Sequence, residues 1–172
     1  MMEAVKGPDS NREEAFFRMA EEQQTALLRL CFMLLRDYAL AEDAVQETFF
    51  KAYRGYAAYR GDCSEKTWLT GIALNVVRDM KRRAWFRFVD RRITLDQLPE
   101  PAVPFEEKDD FLLQAILQLP GKEREALILY YYQDLTMAEV SQTLNVPLST
   151  VGSRLNRARK RMKTMLEGED WD

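Results

Sequence analysis

Six Lys or Arg and no carboxylate fall between Thr150 and Lys163, in "TVGSRLNRARKRMK". Side chains of this type neutralise phosphates and release the counterions that surround a nucleic acid. Short hydrogen-bonding residues stand at the front of the run. Val151 and Leu155, spaced i and i+4, point inward. Ser149, Thr150, Ser153, Arg154, Asn156 and Arg157 are left for the outside. Positions 153, 156, 157 and 160 share a broad face, so Lys160 belongs with them. A helix end presented to a major groove would offer these groups to base edges.

Charge alone leaves a plainer reading ahead, a solvated basic helix that docks a protein. The residues upstream favour DNA. Thr136 with Glu139 three residues later has the spacing of a capping box. Ala138, Val140 and Leu144 can then face a core. "NVP" follows as a tight turn, since Pro147 cannot continue the helix before it. A longer helix opens at Leu148 or Ser149 and runs to about Leu166. Short helix, tight turn and long basic helix form a helix-turn-helix. Gly152 costs roughly 1 kcal/mol relative to Ala inside that helix. Either it permits close backbone approach to DNA or it is a tolerated residue.

Enzyme chemistry finds little support. There is no histidine in the chain. The commonest general base, metal ligand and triad partner are therefore missing. Neither a GxxxxGK[ST] loop nor a GxGxxG fingerprint appears. Acidic pairs such as Glu42–Asp43 and Asp109–Asp110 read as solvated helix faces. No catalytic residue, metal or cofactor is expected. Cys31 sits in an apolar run and reads as a small core residue. Cys63 sits in a polar loop, where exposure and a redox role are open.

The elements that must hold these groups are helical, and no convincing strand alternation appears. A first helix spans about Glu13 to Arg36, with Leu27, Leu30, Cys31, Leu34 and Leu35 as its apolar stripe. Asp37 is a plausible N-cap for a second, about Ala39 to Tyr56, which buries Ala44, Val45, Phe49 and Ala52. Asp43, Gln46, Glu47 and Lys51 lie on its other face. A third starts near Ser64 or Glu65, with Trp68, Leu69, Ile72, Ala73, Val76 and Val77 inward. Trp68 reads as core rather than as a stacking platform. Asn75, Arg78, Asp79, Arg82 and Arg83 fall on a different face. Phe111 to Leu119 forms a helix stopped at Pro120, and 121–133 forms the next. "ALILYYY" continues that amphipathic pattern and reads as helix despite its strand propensity.

Length allows one ordinary domain or two small ones, and the charge pattern favours two. Residues 78–92 hold seven basic and two acidic residues, whereas 96–110 hold six acidic and one basic. The acidic stretch contains Pro99, Pro101 and Pro104, so it cannot be regular helix throughout. It reads as a linker, 93–110, between domains at 12–92 and 111–168. The fold class expected is all-α: two small helical domains, the second a helix-turn-helix. No stretch approaches the roughly 18 apolar residues of a transmembrane helix. The N-terminus lacks the apolar core of a signal peptide, so no membrane insertion and a cytoplasmic location are expected.

Taken together, three segments carry a family resemblance. "LAEDAVQETFFKAY", "YRGDCSEKTWLTGIALNVVRDMKRR" and "LPGKEREALILYYYQDLTMAEVSQTLNVPLSTVGSRLNRARKRM" stand in this order. They resemble the extracytoplasmic-function sigma factors of bacterial RNA polymerase, in conserved regions two and four. The resemblance covers about residues 14–167. It implies that Asp43, Gln46 and Glu47 meet the β′ clamp helices of core RNA polymerase. It implies that the loop from Arg60 through Gly61, Asp62, Cys63 and Ser64 to Lys66 receives a base flipped from the non-template strand of the −10 element. Asn75, Arg78, Arg82 and Arg83 would touch backbone or bases nearby. The second domain would read −35 duplex through Ser153, Asn156 and Arg157, with Arg154 and Arg159 on phosphates or in intramolecular pairs. The family often has a basic residue where this chain has Gly152. The second domain would also meet the β flap, and an anti-sigma factor is an expected partner. The resemblance further implies a minimal form without extra domains.

Two readings from other classes compete. A stand-alone helix-turn-helix regulator explains residues 111–167 but not "LAEDAVQETFFKAY". A helical interaction module would use its basic helices on an acidic partner.

Overall fold

Leu27, Leu30, Cys31 and Leu34 recur at helical spacing and are buried along one stripe of α1 (Pro8–Leu35). The computed structural model describes residues 8–87 and 107–167 of the chain. α1 starts earlier than its periodicity suggests because proline suits a first helical turn, where its missing N–H costs nothing. It ends where Arg36 takes a left-handed backbone, φ 58°, although the Arg36 N–H still reaches the Phe32 carbonyl at 2.8 Å. Asp37 then caps α2 (Tyr38–Gly55), its carboxylate accepting from the Leu40 N–H at 2.9 Å. Ala41, Ala44 and Ala52 are fully buried, which lets α2 approach α1 and α3 closely. Thr48 joins them because its hydroxyl donates to the Ala44 carbonyl at 2.6 Å. Phe49 is only half-buried. A single 3-10 turn, Tyr56–Ala58, leads into the loop before α3 (Glu65–Arg87). Leu69, Ala73, Val76 and Val77 complete this three-helix core, with Trp68 and Ile72 at its edge.

The second domain holds α4 (Glu107–Gln118), α5 (Gly121–Tyr131), α6 (Met137–Leu144) and α7 (Leu148–Glu167). α4 begins inside the segment read as linker. The acid-rich sequence at 107–110 suits a helix N-terminus, where the dipole favours negative residues. The rest of that linker, 93–106, and the basic residues 88–92 lie outside the described residues. Pro120 separates α4 from α5, and its carbonyl accepts from the Glu123 and Arg124 N–H groups.

Thr136 and Glu139 form the expected capping box: Oγ1 of Thr136 accepts from the Glu139 N–H at 3.2 Å, and Glu139 Oε2 accepts from the Thr136 N–H at 2.8 Å. α6 closes in a Schellman motif. Asn145 takes the left-handed backbone, φ 53°, its N–H bonds the Gln142 carbonyl, and the Val146 N–H bonds the Ser141 carbonyl. Ala138 is exposed, against expectation. The buried positions of α6 are Val140 and Leu144, with Met137 and Ser141 half-buried beside them, and Ala138 lies off that stripe. α7 buries Val151, Leu155, Ala158 and Met162 against α5 and α6.

The two domains pack on each other. α1 meets α4 and α5, and α3 meets α6. No described helix is long and apolar enough to cross a membrane.

Hydrogen bonds to Thr136, first through its backbone, hold the Glu139 carboxyl below the usual glutamate range. A depressed folded value means stability that is present above the unfolded value, about 4.3, and lost as pH falls through the folded one. Glu139→Gln keeps the capping geometry and should flatten the acid limb of stability, measured as urea midpoints across pH 3 to 7. Thr136→Ala should lower unfolding free energy by about 1 kcal/mol at neutral pH.

Candidate nucleic-acid interface

The outer face of α7 opposes its buried stripe. Ser149, Ser153, Asn156, Arg157 and Lys160 are exposed there, and Thr150 and Arg154 are half-buried. Ser153 donates its hydroxyl to the Ser149 carbonyl at 2.7 Å, so its lone pairs face outward as acceptors. A Cβ on Gly152 would meet only the Met137 methyl, at an ordinary 3.5 Å. Packing within the chain therefore does not require glycine there.

The basic run is ordered by its own surroundings. Arg157 Nε donates to Glu123 Oε1 at 3.2 Å, and Arg161 Nε lies 3.0 Å from Glu123 Oε2 without the alignment of a hydrogen bond. Arg159 donates to the Tyr131 hydroxyl at 2.8 Å and lies over the Tyr130 and Tyr131 rings. Lys163 pairs with Glu167 at 3.5 Å. Among the described residues, Arg154 and Lys160 have no ion-pair partner. Glu123, which positions Arg157, carries no signal in the sequence beyond an acid in a first helical turn.

In the first domain, the loop ahead of α3 is held by local bonds. Gly61 supplies a positive φ of 76°. The Tyr59 hydroxyl donates to the Cys63 carbonyl, and the Tyr56 hydroxyl to Glu65 Oε1 at 2.6 Å. That bond, followed by burial, pushes the Tyr56 phenol up to about 12. Burial, then the loop's thiol and carboxyl groups, raise Tyr59 as well. Ser64 accepts from the Thr67 N–H at 3.1 Å and so caps α3. Arg60, Gly61, Asp62 and Ser64 are exposed, and Cys63 is half-buried.

Beside this loop, α2 and α3 enclose an open cleft of about 410 Å³, lined by Lys51, Tyr59, Trp68, Ile72 and Asn75 among others. Trp68 therefore does two jobs. It packs with Tyr59, ring centroids 5.0 Å apart, and it also walls the cleft. Asn75 joins the cleft, whereas Arg82 and Arg83 lie further along the exposed side of α3. Arg82 pairs with Asp79 at 2.7 Å, and Lys51 lies 4.0 Å from the same carboxylate. Arg78 turns to the second domain and meets Glu125 at 3.4 Å.

Asp43, Gln46 and Glu47 are exposed on α2, with Glu47 3.6 Å from Lys51. Phe50, 58% exposed, and Tyr53, 46% exposed, continue the same face. Sequence reasoning missed both. The signal was present in "TFFKAY": adjacent phenylalanines cannot both face one core, and Phe49 is the more buried. On the second domain, Leu112, Ile116, Leu127, Tyr131, Met162 and Leu166 line an apolar groove of about 630 Å³.

The Sigma-70 region 2 family matches residues 19–87, and the Sigma-70 region 4 family matches 112–162. The chain is 27% identical to the ECF RNA polymerase sigma factor SigW of Bacillus subtilis, over 94% of both chains. It is 30% identical to the RNA polymerase sigma-H factor of Pseudomonas aeruginosa, over 90% of this chain and 88% of that one. It is 31% identical to the ECF RNA polymerase sigma factor SigL of Mycobacterium tuberculosis, over 90% of this chain and 91% of that one. Among solved structures, the fold is similar to the sigma factor RpoE in complex with the anti-sigma factor NepR from Bartonella quintana. That match has a TM-score of 0.71 and 22% identity, over 92% of this chain and 98% of that one. It is also similar to CnrH in complex with the cytosolic domain of CnrY, with a TM-score of 0.68 and 20% identity, over 92% and 91%.

For a helix that enters a groove by its N-terminal part, Arg157 would lie nearer base edges than Lys160. Arg157→Ala should cost about 1–3 kcal/mol on a cognate −35 duplex and narrow the gap to mismatched duplexes. Lys160→Ala should weaken all duplexes alike and reduce the salt slope by about one phosphate contact. Titrations on matched and mismatched duplexes at several salt concentrations check both. Equal losses across every sequence would contradict this register.

Proposed function

This chain belongs to the sigma-70 family as an extracytoplasmic-function sigma factor, and from that premise we propose how its residues divide the work. Sigma factors bind core RNA polymerase, recognise −35 and −10 promoter elements and direct initiation. We assign the chain no catalytic step of its own, because polymerisation belongs to the polymerase. Its place of action is then the cytoplasm, where polymerase and promoter meet.

The carrying observation is the cleft between Tyr59, Trp68 and Asn75 beside the capped loop 60–64. Its aromatic wall offers a stacking surface, and Asn75 offers both a donor and an acceptor. A base flipped from the non-template strand would enter here. The loop Arg60 to Ser64 would guide the strand in. Arg78, Arg82 and Arg83 would follow its phosphates. The −35 duplex would lie on Ser149, Thr150, Ser153, Arg154, Asn156, Arg157 and Lys160. On this reading, domain one spans 12–92 and domain two 111–168, with the helical start of α4 reaching back toward 107.

Core binding rests on Asp43, Gln46 and Glu47, extended by Phe50 and Tyr53. An exposed aromatic beside carboxylates has the composition of an interface anchor with a polar rim. The β′ clamp helices are its partner. The apolar groove under Tyr131 and Met162 suits a helix from the β flap. An anti-sigma factor is a further partner, since a similar solved chain, the sigma factor RpoE, is captured with one.

The test is transcription. The chain mixed with core polymerase should give promoter-specific transcripts with no other sigma factor present. Asp43→Lys with Glu47→Lys should weaken core binding without loss of helical content. Phe50→Ala should weaken it by about 1–3 kcal/mol, the scale of a buried aromatic anchor. Competition for core against a labelled sigma factor reads both, and unchanged competition by both variants would remove this face from the interface.

A further inference from the structure

Four cations from three helices meet around one carboxylate. Arg36 follows the end of α1, Arg78 and Lys81 stand on α3, and Arg124 stands on α5. α1 packs on both α3 and α5, and Arg78 reaches Glu125 of α5 at 3.4 Å. Lys81 feels that carboxylate together with the charges of Arg124, Arg36 and Arg78. Among the described residues, Arg36, Lys81 and Arg124 have no ion-pair partner. Lys81 is exposed and Arg78 half-buried, so the cluster opens to water along α3.

Two donors in the cluster lack acceptors. Arg124 is 9% exposed. Its Nη1 donates to the Leu117 carbonyl at 3.2 Å, but its Nε is buried with no hydrogen-bond partner. Arg36 Nε is buried and unpartnered in the same way. Burial, and then the Arg36 charge, push Arg124 down to about 10. Burial lowers Arg36 and Lys81 as well. Buried donors of this kind cost their full desolvation unless an acceptor reaches them.

The backbone supplies an independent sign. Arg36 has a left-handed φ of 58°. The other described non-glycine residues with positive φ are Asp134 and Asn145, types that tolerate it. Glycine is the usual residue just past a helix end. Arginine there adds strain, and burial of its Nε removes the compensation that water would give. Strain held in this way clusters at ligand clamps and switch regions.

The chemistry of the donors defines the ligand. Only an anion is welcome among these cations. It must offer several acceptors, because the donors come from three helices. A carboxylate is planar and brings one charge. A phosphate group brings more charge near neutral pH and three acceptor oxygens, which guanidinium forks match. We propose that Arg36, Lys81 and Arg124, with Arg78 at the rim, bind a phosphate group, either free or at the end of a small nucleotide. Glu125 keeps Arg78 in place and leaves the other three for the ligand. Those three have no part in the promoter assignments above, so this site is separate from the DNA-reading surfaces.

Calorimetric titration of the full chain at pH 7, with ionic strength held constant by sodium chloride, tests the site. The probes are inorganic phosphate and adenosine diphosphate. Inorganic phosphate should bind saturably, one per chain. Arg124→Met removes a buried charge and should weaken binding roughly ten- to a hundredfold. Arg36→Gly removes the other guanidinium and suits the left-handed backbone, so it should keep its helical content by circular dichroism and still bind roughly tenfold more weakly. Lys160→Gln, a charge removed from the exposed face of α7, should bind phosphate as the unaltered chain does. Adenosine diphosphate binding tenfold tighter than phosphate, through the same residues, assigns the site to a nucleotide; equal or weaker binding assigns it to the free anion. Absence of saturable phosphate binding by the unaltered chain overturns the proposal. Binding that survives both Arg124→Met and Arg36→Gly overturns it, and so does an equal loss in Lys160→Gln, which would report a diffuse response to positive charge. Should Arg124→Met lose helical content, Arg36→Gly decides alone.

Discussion

A carboxylate taken out of water needs compensation, and Glu123, only 6% exposed, receives it from two arginines on another helix. Arg157 and Arg161 lie one turn apart on α7 and reach the same group on α5. Two attachment points define a direction as well as a distance. The apolar stripe of Val151, Leu155, Ala158 and Met162 holds α7 on the domain, and the Glu123 fork restricts its rotation. That rotation decides which side chains face a groove. Arg159, on Tyr131 and over two rings, fixes the flank. The exposed face of Ser149, Ser153 and Asn156 is what remains after these constraints are met.

How much of this was legible depended on range along the chain. The helix-turn-helix was legible because its signals are local: Thr136 with Glu139, Pro147 after Asn145, and an apolar repeat from Val151. The all-α class and the cap at Asp37 followed from the same kind of signal. Ala138 departs from its expected burial because α6 is short, and two turns leave the apolar stripe free to settle on either side of one alanine. The partnership of Glu123 with Arg157 spans 34 positions, and that of Thr67 with Glu139 spans 72. Periodicity carries no information at such separations. Trp68 reads as core alone in the sequence because a pattern marks a side chain as inward or outward. A large ring can pack with one edge and wall a cleft with the other.

The acidic balance of a DNA-binding chain is explained by the same pairings. Net charge is −3, yet the surfaces assigned to DNA are basic. Carboxylates on or facing those surfaces hold cations in position and offset part of their field. Asp79 does this for Arg82 and Lys51, and Glu125 does it for Arg78. Unpaired cations would attract any polyanion through counterion release. Paired ones must exchange a carboxylate for a phosphate, so the net gain per contact is smaller and depends more on geometry.

Preorganisation differs between the two proposed reading surfaces, and the difference suits the form of DNA proposed for each. A duplex is stiff and presents its groove ready-made, so α7 needs only a fixed rotation. A single strand is flexible and loses conformational freedom on binding, so its receptor gains by being rigid beforehand. The loop at 60–64 has no helix or strand to stiffen it. Tyr59 on the Cys63 carbonyl, Tyr56 on Glu65 and Ser64 on Thr67 supply that stiffness through side chains. Each bond closes over nine residues or fewer, so the loop is braced from within the first domain. Thr67 and Lys66, at its far end, are the residues that reach across to the second domain. The shape of the cleft is therefore set by bonds within the first domain and does not depend on those interdomain contacts.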